Sequence, residues 1–232
     1  FKPDSTIFET VNFNRKTVLQ KLRQHAYLNG GLRFDIEDHR EENSFYYGFH
    51  FEGGIRSYLK HINSNYKPIH ENIFFIREEI DDVAVEATVQ FTDDLQAREF
   101  YFGNNILNRD GGTHATGFRS ALTKTINDYL QETGSEKEKN IKLSGDDVRE
   151  GLTALVSVKV LDPVFENQTK TKLNNPEVAG VVRTIIAKHF KSFLKEHPRD
   201  AKNIVGRALV SNKARAAAKA AREAVVRKGA LD

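Results

Sequence analysis

One alternation constrains the fold more than anything else in the chain. Ala154, Val156, Val158 and Val160 alternate with Thr153, Leu155, Ser157 and Lys159. Period-two side chains lie on opposite faces of a strand, so this stretch predicts a strand with one buried apolar face. Asp162-Pro163 ends it, because proline cannot donate to a ladder. Asn175-Pro176-Glu177 then predicts a helix start, with a cap, a first-turn proline and an acid at the positive end. Val178, Val182, Ile185, Ile186 and Phe193 carry that helix to a break at His197-Pro198. Between strand and helix lies a short loop held at both ends, Asp162 to Leu173, reading Asp-Pro-Val-Phe-Glu-Asn-Gln-Thr-Lys-Thr-Lys-Leu. Its amide, hydroxyls and ammonium groups are a phosphate-facing inventory, with Lys as a mobile point charge and Gln and Thr as neutral donors. By composition alone, a loop of this kind is more often a plain solvated turn.

The remaining elements are read in chain order. Asn14 to Leu28 predicts a helix with Val18, Leu19, Leu22 and Ala26 on one face, stopped by Asn29-Gly30-Gly31. Phe34 and Ile36, then Phe45, Tyr47, Phe49 and Phe51, predict two strands joined by an exposed acidic turn from Glu37 to Asn43. Glu52-Gly53-Gly54 makes a tight strand-to-helix turn, and the helix runs through Ile62. The glycine pair lacks the spacing of a phosphate-cradling loop. A short strand is expected over Ile73 to Ile76, a better one over Val83 to Phe91, and another over Glu99 to Phe102. Val83, Val85, Ala87, Val89 and Phe91 face one way, while Ala84, Glu86, Thr88 and Gln90 face the other. This predicts a sheet with one wet face and favours antiparallel pairing. Thr113 is the expected N-cap of a helix to Leu130 that buries Phe118, Leu122 and Ile126. His114, alone in its first turn, reads as structural and receives no catalytic role. Gly134 to Asn140 reads as a mobile loop, and Asp200 as the cap of a last helix reaching about Lys228. The fold class is therefore α+β, with a core over residues 1–173 and a helical segment over 174–232.

Composition narrows the chemistry. The 232 residues include 16 Phe and 7 Tyr but no Cys, which excludes disulfides, thiolate metal sites and Cys nucleophiles and fits a reducing interior. No apolar run approaches the ~20 residues of a membrane span, and no signal peptide opens the chain. Because the first residue is Phe, the chain is expected to be an excised piece. Net charge is +3, yet Arg199 to Lys228 holds nine Lys or Arg against two acids, so the rest of the chain sums to −4. Such asymmetry suggests an anionic partner for the tail. On a helix, Arg215, Lys219 and Arg222 fall within about 60° of one another, and Ala214, Ala217, Ala218, Ala221 and Val225 take much of the other side. A solvated basic face is the plainer reading of that stripe.

Four motifs, in order, carry a resemblance. They are Phe51-Glu52-Gly53-Gly54-Ile55; Arg109-Asp110-Gly111-Gly112-Thr113-His114 with Gly117-Phe118-Arg119; Gly145-Asp146-Asp147-Val148-Arg149-Glu150-Gly151-Leu152; and Gln168-Thr169-Lys170. Together they resemble the transducer domain of bacterial type II DNA topoisomerases, in the ATPase-bearing subunit, with the gyrase branch nearer and the topoisomerase IV branch open. The closing Arg227-Lys228-Gly229-Ala230-Leu231 is similar to that domain's end, and Phe1-Lys2-Pro3-Asp4 to the strand where the family's ATPase domain stops. The resemblance implies a ribosomal protein S5 domain 2-like mixed sheet followed by a helical stalk.

It also implies that Gln168 and Lys170 reach into the neighbouring ATPase site, where Lys170 touches the ATP γ-phosphate. Lys172 lies outside the matching triplet and reads as a surface lysine. The implied setting is a cytoplasmic homodimer clamped by ATP, working with an A-type topoisomerase subunit, its own ATPase and Toprim domains and duplex DNA, and with no membrane. Mg2+ belongs to the parent enzyme and has no expected site on this chain, and the fragment alone is expected not to hydrolyse ATP. DNA contact by Arg215, Lys219 and Arg222 would be to phosphates, without base readout. Two other classes stay open. A small-molecule kinase of similar fold would need a Gly/Ser-rich phosphate loop, and none is visible. A stand-alone nucleic-acid-binding module would rest on the basic tail.

Overall fold

The computed structural model describes residues 3–41 and 43–229, apart from the side chains of 225 and 227–229. Phe1, Lys2, Ala230 and Leu231 of the terminal motifs, and the side chains of Val225, Arg227 and Lys228, therefore lie outside the described residues. The chain forms two compact units, residues 1–58 and 59–232.

In the first unit, α1 (Arg15–Leu28) is capped by Asn14, whose side chain accepts from the Thr17 amide at 3.1 Å. Two strands, β1 (Arg33–Asp38) and β2 (Phe45–His50), pair antiparallel as the alternation predicts. Tyr27 stacks on Phe51 and Tyr58, with ring centroids 3.8 and 4.7 Å apart. A further helix, α2 (Gly54–Ile62), spans the division between the units.

The second unit is a mixed sheet packed with helices. Its strands are β3 (Phe74–Ile80), β4 (Val83–Phe91), β5 (Arg98–Gly103), β6 (Ile106–Leu107) and β7 (Leu152–Lys159), in the spatial order β3-β4-β7-β5-β6. The helices are α3 (Thr113–Thr133), α4 (Glu136–Lys139), α5 (Gly145–Arg149), α6 (Pro176–Glu196) and α7 (Pro198–Gly229). Antiparallel pairing holds for β3–β4 and β4–β7, but β7 runs parallel to β5. A parallel pair needs a long crossover, and the segment carrying α3 supplies it.

The wet face expected opposite the core is not wet at its centre. Thr88, Gln90, Thr153, Leu155 and Ser157 are all buried there. Asn63 bridges two of them, donating to Gln90 at 3.1 Å and accepting from the Thr153 hydroxyl at 2.8 Å. Polar residues at alternate positions looked solvated in sequence, yet Gln90 and Thr153 are satisfied through Asn63, and the Thr88 hydroxyl donates to the Phe74 carbonyl at 2.9 Å. On the other face, Val85, Ala87, Val156 and Val158 meet Phe118, Leu122 and Ile126 of α3 and Val182, Ile185, Ile186 and Phe190 of α6. Ala201, Ile204, Val205, Ala208 and Leu209 of α7 join the same core.

Several local expectations are corrected. The strand placed at Ile73 to Ile76 runs on to Ile80, because Asp81 (φ 48°) and Asp82 (φ 62°) form a two-residue left-handed turn into β4. Asp tolerates that region, so no glycine was needed to mark the hairpin. The N-cap of α3 is Gly112, with Thr113 the first helical residue. A Cβ at 112 would lie 2.2 Å from the Leu173 carbonyl oxygen, so a side-chain-bearing cap does not fit there. Within Gly134 to Asn140, Ser135 and Glu138 close a capping box around the single turn of α4. Asp200 sits inside the first turn of α7, and its carboxylate accepts from the backbone and side-chain nitrogens of Asn72 at 3.0 and 2.9 Å.

Candidate functional site

The loop that follows β7 is built as a braced hairpin. At its root, Asn104 holds Val160 on both sides, donating to its carbonyl and accepting from its amide at 2.9 Å each. Asn175 takes the N-cap position of α6 but turns its side chain onto the loop. It accepts from Val164 N at 2.7 Å and donates to the Asp162 carbonyl at 3.0 Å. Phe165 and Leu173 pair antiparallel, Asn174 N donates to Val164 O at 2.8 Å, and Glu166 N donates to Lys172 O at 3.1 Å. The tip, Asn167 to Thr171, is then tied by Asn167. Its carbonyl accepts from Lys170 N at 3.0 Å, its side-chain oxygen from the Thr169 hydroxyl at 2.7 Å, and its amide donates to Thr171 Oγ1 at 3.0 Å.

A second segment braces the returning arm from the side. Asp110 N donates to Thr171 O at 2.9 Å, Leu173 N to Gly111 O at 3.1 Å, and Thr113 N to Leu173 O at 3.0 Å. Above these backbone rungs, Asn108 Nδ2 donates to the Lys170 carbonyl at 2.7 Å. Lys170 itself has φ +57°, the left-handed region that side-chain-bearing residues rarely occupy. Such a conformation costs on the order of 1 kcal/mol and persists where surrounding bonds over-determine it.

The two lysines of the loop differ in their partners. Lys172 pairs with Glu166 at 3.1 Å, which takes up the acid on the loop's ascending arm. Lys170 is exposed, and its ammonium nitrogen stands 5.6 Å from the centroid of the Phe165 ring. Among the described residues no carboxylate forms an ion pair with Lys170, and the exposed Gln168 side chain has no hydrogen-bond partner. The tip therefore offers one cation and one neutral amide outward on a backbone that is tied down. An exposed ammonium over a ring gains only about 0.5–1 kcal/mol, far too little to hold it against an anionic ligand.

The basic stripe of α7 is arranged otherwise. Residues from Lys213 through Ala224 are exposed. Arg215 nevertheless grips the buried Asp147 of α5 through two bonds, Nε to Oδ1 at 2.8 Å and Nη2 to Oδ2 at 2.7 Å. Burial alone would raise the Asp147 pKa, but the Arg215 guanidinium, the Asn212 amide and Ser144 hold it well below the usual carboxylate range. Lys219 lies 3.9 Å from Glu223 on the next turn, and Arg222 forms no ion pair among the described residues. Arg215 thus differs from Lys219 and Arg222 in being anchored to Asp147, although about half of its side chain stays exposed. His114 is fully buried beside Tyr101, with ring centroids 5.4 Å apart, and burial pushes its pKa down to about 4. Among the described residues no cluster of three or more His, Asp or Glu is placed to hold a metal ion.

Sequence reasoning singled out Gln168 and Lys170 but passed over the asparagines that position them, Asn104, Asn108 and Asn167, and read Asn175 only as a helix cap, whereas its side chain holds the loop. The available signal was a set of six asparagines at or beside turns, at 104, 105, 108, 167, 174 and 175. Asn side chains hydrogen-bond nearby backbone and so favour turns over ladders.

Comparison with known proteins gives this geometry a family. Among solved structures, the chain is similar to the 43K ATPase domain of Thermus thermophilus gyrase B in complex with an aminocoumarin. That match has TM-score 0.84 and 37% identity, and covers 96% of this chain and 60% of that one. It is also similar to the topoisomerase IV ATP binding domain of Francisella tularensis in complex with a small-molecule inhibitor, at TM-score 0.79 and 25% identity, covering 92% and 57%. Fold and likeness together put the chain in the B-subunit family of type II DNA topoisomerases.

At the level of sequence, the DNA gyrase B protein of Halalkalibacterium halodurans is 46% identical over all of this chain, and that of Clostridium acetobutylicum is 43% identical. The family model described as DNA gyrase B matches residues 54–224. The chain belongs to the DNA gyrase B family. It spans 36% of the length of these two relatives.

Proposed function

We propose that this chain is the transducer segment of an ATP-dependent type II topoisomerase, and that it couples ATP binding and hydrolysis in an adjoining ATPase domain to motion at the DNA gate. In this reading residues 1–173 are an S5 domain 2-like core and residues 174–232 a helical segment leading toward the DNA-cleaving Toprim domain. One observation carries the proposal: Lys170 sits exposed on a backbone-braced tip, free of any acid of its own domain among the described residues. An internal salt bridge would have removed the charge that a phosphate contact needs.

The chemistry follows from that geometry. Charge on a transferring phosphoryl group is spread over its outer oxygens, so a preplaced ammonium stabilises both the bound nucleotide and the transition state. Gln168 adds a neutral donor that orients the contact. Because the Lys170 contact exists only while the γ-phosphate does, the loop binds differently in the ATP and ADP states. Differential affinity of that kind is what a ligand requires to shift a conformational equilibrium. The loop joins β7 to α6 and shares its brace with the N-terminus of α3, so its displacement bears directly on the core. The Thermus and Francisella relatives are an ATPase domain and an ATP-binding domain, which supports ATP as the ligand.

The parent enzyme would act as an ATP-clamped cytoplasmic homodimer with an A-type subunit, Mg2+ and duplex DNA, and this chain alone would be inactive. Arg215, Lys219 and Arg222 would touch DNA phosphates only. In the intact subunit, Lys170→Ala should nearly abolish ATP turnover while thermal unfolding stays within about 1 kcal/mol of the parent, the scale of a surface substitution. Normal turnover by that variant would remove the proposal.

A further inference from the structure

The brace beneath Lys170 has one rung that differs from the rest. Three of its bonds to the returning arm are backbone to backbone: Asp110 N to Thr171 O, Leu173 N to Gly111 O, and Thr113 N to Leu173 O. They stop one residue short of Lys170. The rung that reaches the Lys170 peptide is a side chain, the Asn108 amide, at 2.7 Å from the Lys170 carbonyl.

Asn108 is itself held hard. It is 2% exposed, its backbone amide donates to Tyr101 O at 2.8 Å, and its carbonyl accepts from Gly111 N at 3.0 Å. The orientation of its amide is set by chemistry, since the Lys170 carbonyl has no use for a second oxygen and Nδ2 must face it. The opposite side of the amide packs where Gly103 has no side chain, and a Cβ there would stand 3.0 Å from Asn108 Oδ1. Glycine at 103 thus leaves room for the amide that fixes Lys170.

We infer that Asn108 is a positioning residue for Lys170, holding its left-handed peptide so that the ammonium projects from the tip. This rests on the reading of Lys170 as a γ-phosphate contact. A positively charged side chain on a free tip would sample many directions. One on a peptide pinned at both amide and carbonyl samples few, and preorganisation of that kind is where catalytic contacts gain.

The test uses the full-length subunit and measures ATP turnover per nucleotide-competent site, with kcat and KM separated and thermal unfolding as a control. Asn108→Ala should lower kcat about five- to tenfold, the scale of one net hydrogen bond, with KM changed less than twofold. Asn108→Leu, which keeps about the same size and loses the donor without burying a charge, should lower kcat at least as far. It also decides the matter if the alanine variant does not fold. Gly103→Ala should fall between these and the parent. A merely structural Asn108 would reduce the number of competent sites and leave kcat per site unchanged, and that result would overturn the inference. Collapse of turnover in Lys170→Ala with parental kcat in the Asn108 variants would sink this inference alone. Parental turnover in Lys170→Ala would instead sink the reading on which it rests.

Discussion

The loop tip and the exposed run of α7 are both basic and both open to solvent, yet they hold their charges in opposite ways. At the tip, the backbone is fixed in a conformation lysine disfavours, and the side chain is left without an acid. Along α7 the backbone is ordinary helix, and the charges are partly answered, Arg215 by Asp147 and Lys219 by Glu223. Order at the tip lies in the peptide and freedom in the ammonium. On α7 the reverse holds for Arg215, whose side chain is the fixed part. The difference teaches which cation is singled out: a position prepared by its neighbours is specific, whereas a stripe of exposed cations is interchangeable.

The contrast breaks most severely at Gly112. A methyl group there would collide with the Leu173 backbone, and φ is +139°. Gly112→Ala should therefore destabilise the protein by about 3 kcal/mol or more in denaturant unfolding, since it strains the backbone and splits the brace together. No single alanine on the exposed run of α7 should approach that cost.

Acid should act on the brace next. His114 follows Gly112 and Thr113, and its pKa lies at about 4 against an ordinary 6.5. A buried neutral histidine stabilises the fold fully above 6.5, and that contribution is lost as pH falls toward 4, because the unfolded chain takes the proton first. The loss should reach roughly 3 kcal/mol at pH 4. His114→Phe should flatten this part of the stability profile, and a slope unchanged in that variant would assign it to other groups.

Asp147→Ala should come third. It removes both anchors of Arg215 and the Asn212 bond, but leaves Arg215 half-exposed rather than stranded in the core. The expected loss is about 2 kcal/mol in unfolding free energy, below the full penalty for orphaning a buried charge. Smallest of all, Lys219→Ala and Arg222→Ala should each change stability by less than about 0.5 kcal/mol. If they touch duplex DNA, each should reduce the salt slope of binding by roughly one. Tight, steeply salt-dependent binding by this chain alone would favour the stand-alone module.

Much of the fold was legible because its strands announce themselves by period. Val83 to Phe91 forms a strand over those very residues, and the helix predicted to end at Ile62 does so. What escaped was set by tertiary partners. Leu155 and Ser157 alternate as a half-wet strand should, but β7 lies between β4 and β5 and is covered on both faces. Thr113 looks like a better cap than Gly112 until Leu173 closes on that position. At the candidate site the motif named Gln168 and Lys170. Asn108 was invisible because it lies 62 positions from the carbonyl it holds.

Amine labelling of the full-length subunit tests most directly whether the Lys170 ammonium answers the γ-phosphate. Labelling of Lys170 and Lys172 would be compared with no nucleotide, with ADP, and with an ATP analogue that keeps its γ-phosphate. Protection of Lys170 by the analogue but not by ADP, with Lys172 unchanged throughout, is the predicted result. Equal labelling of Lys170 in all three states would contradict the account.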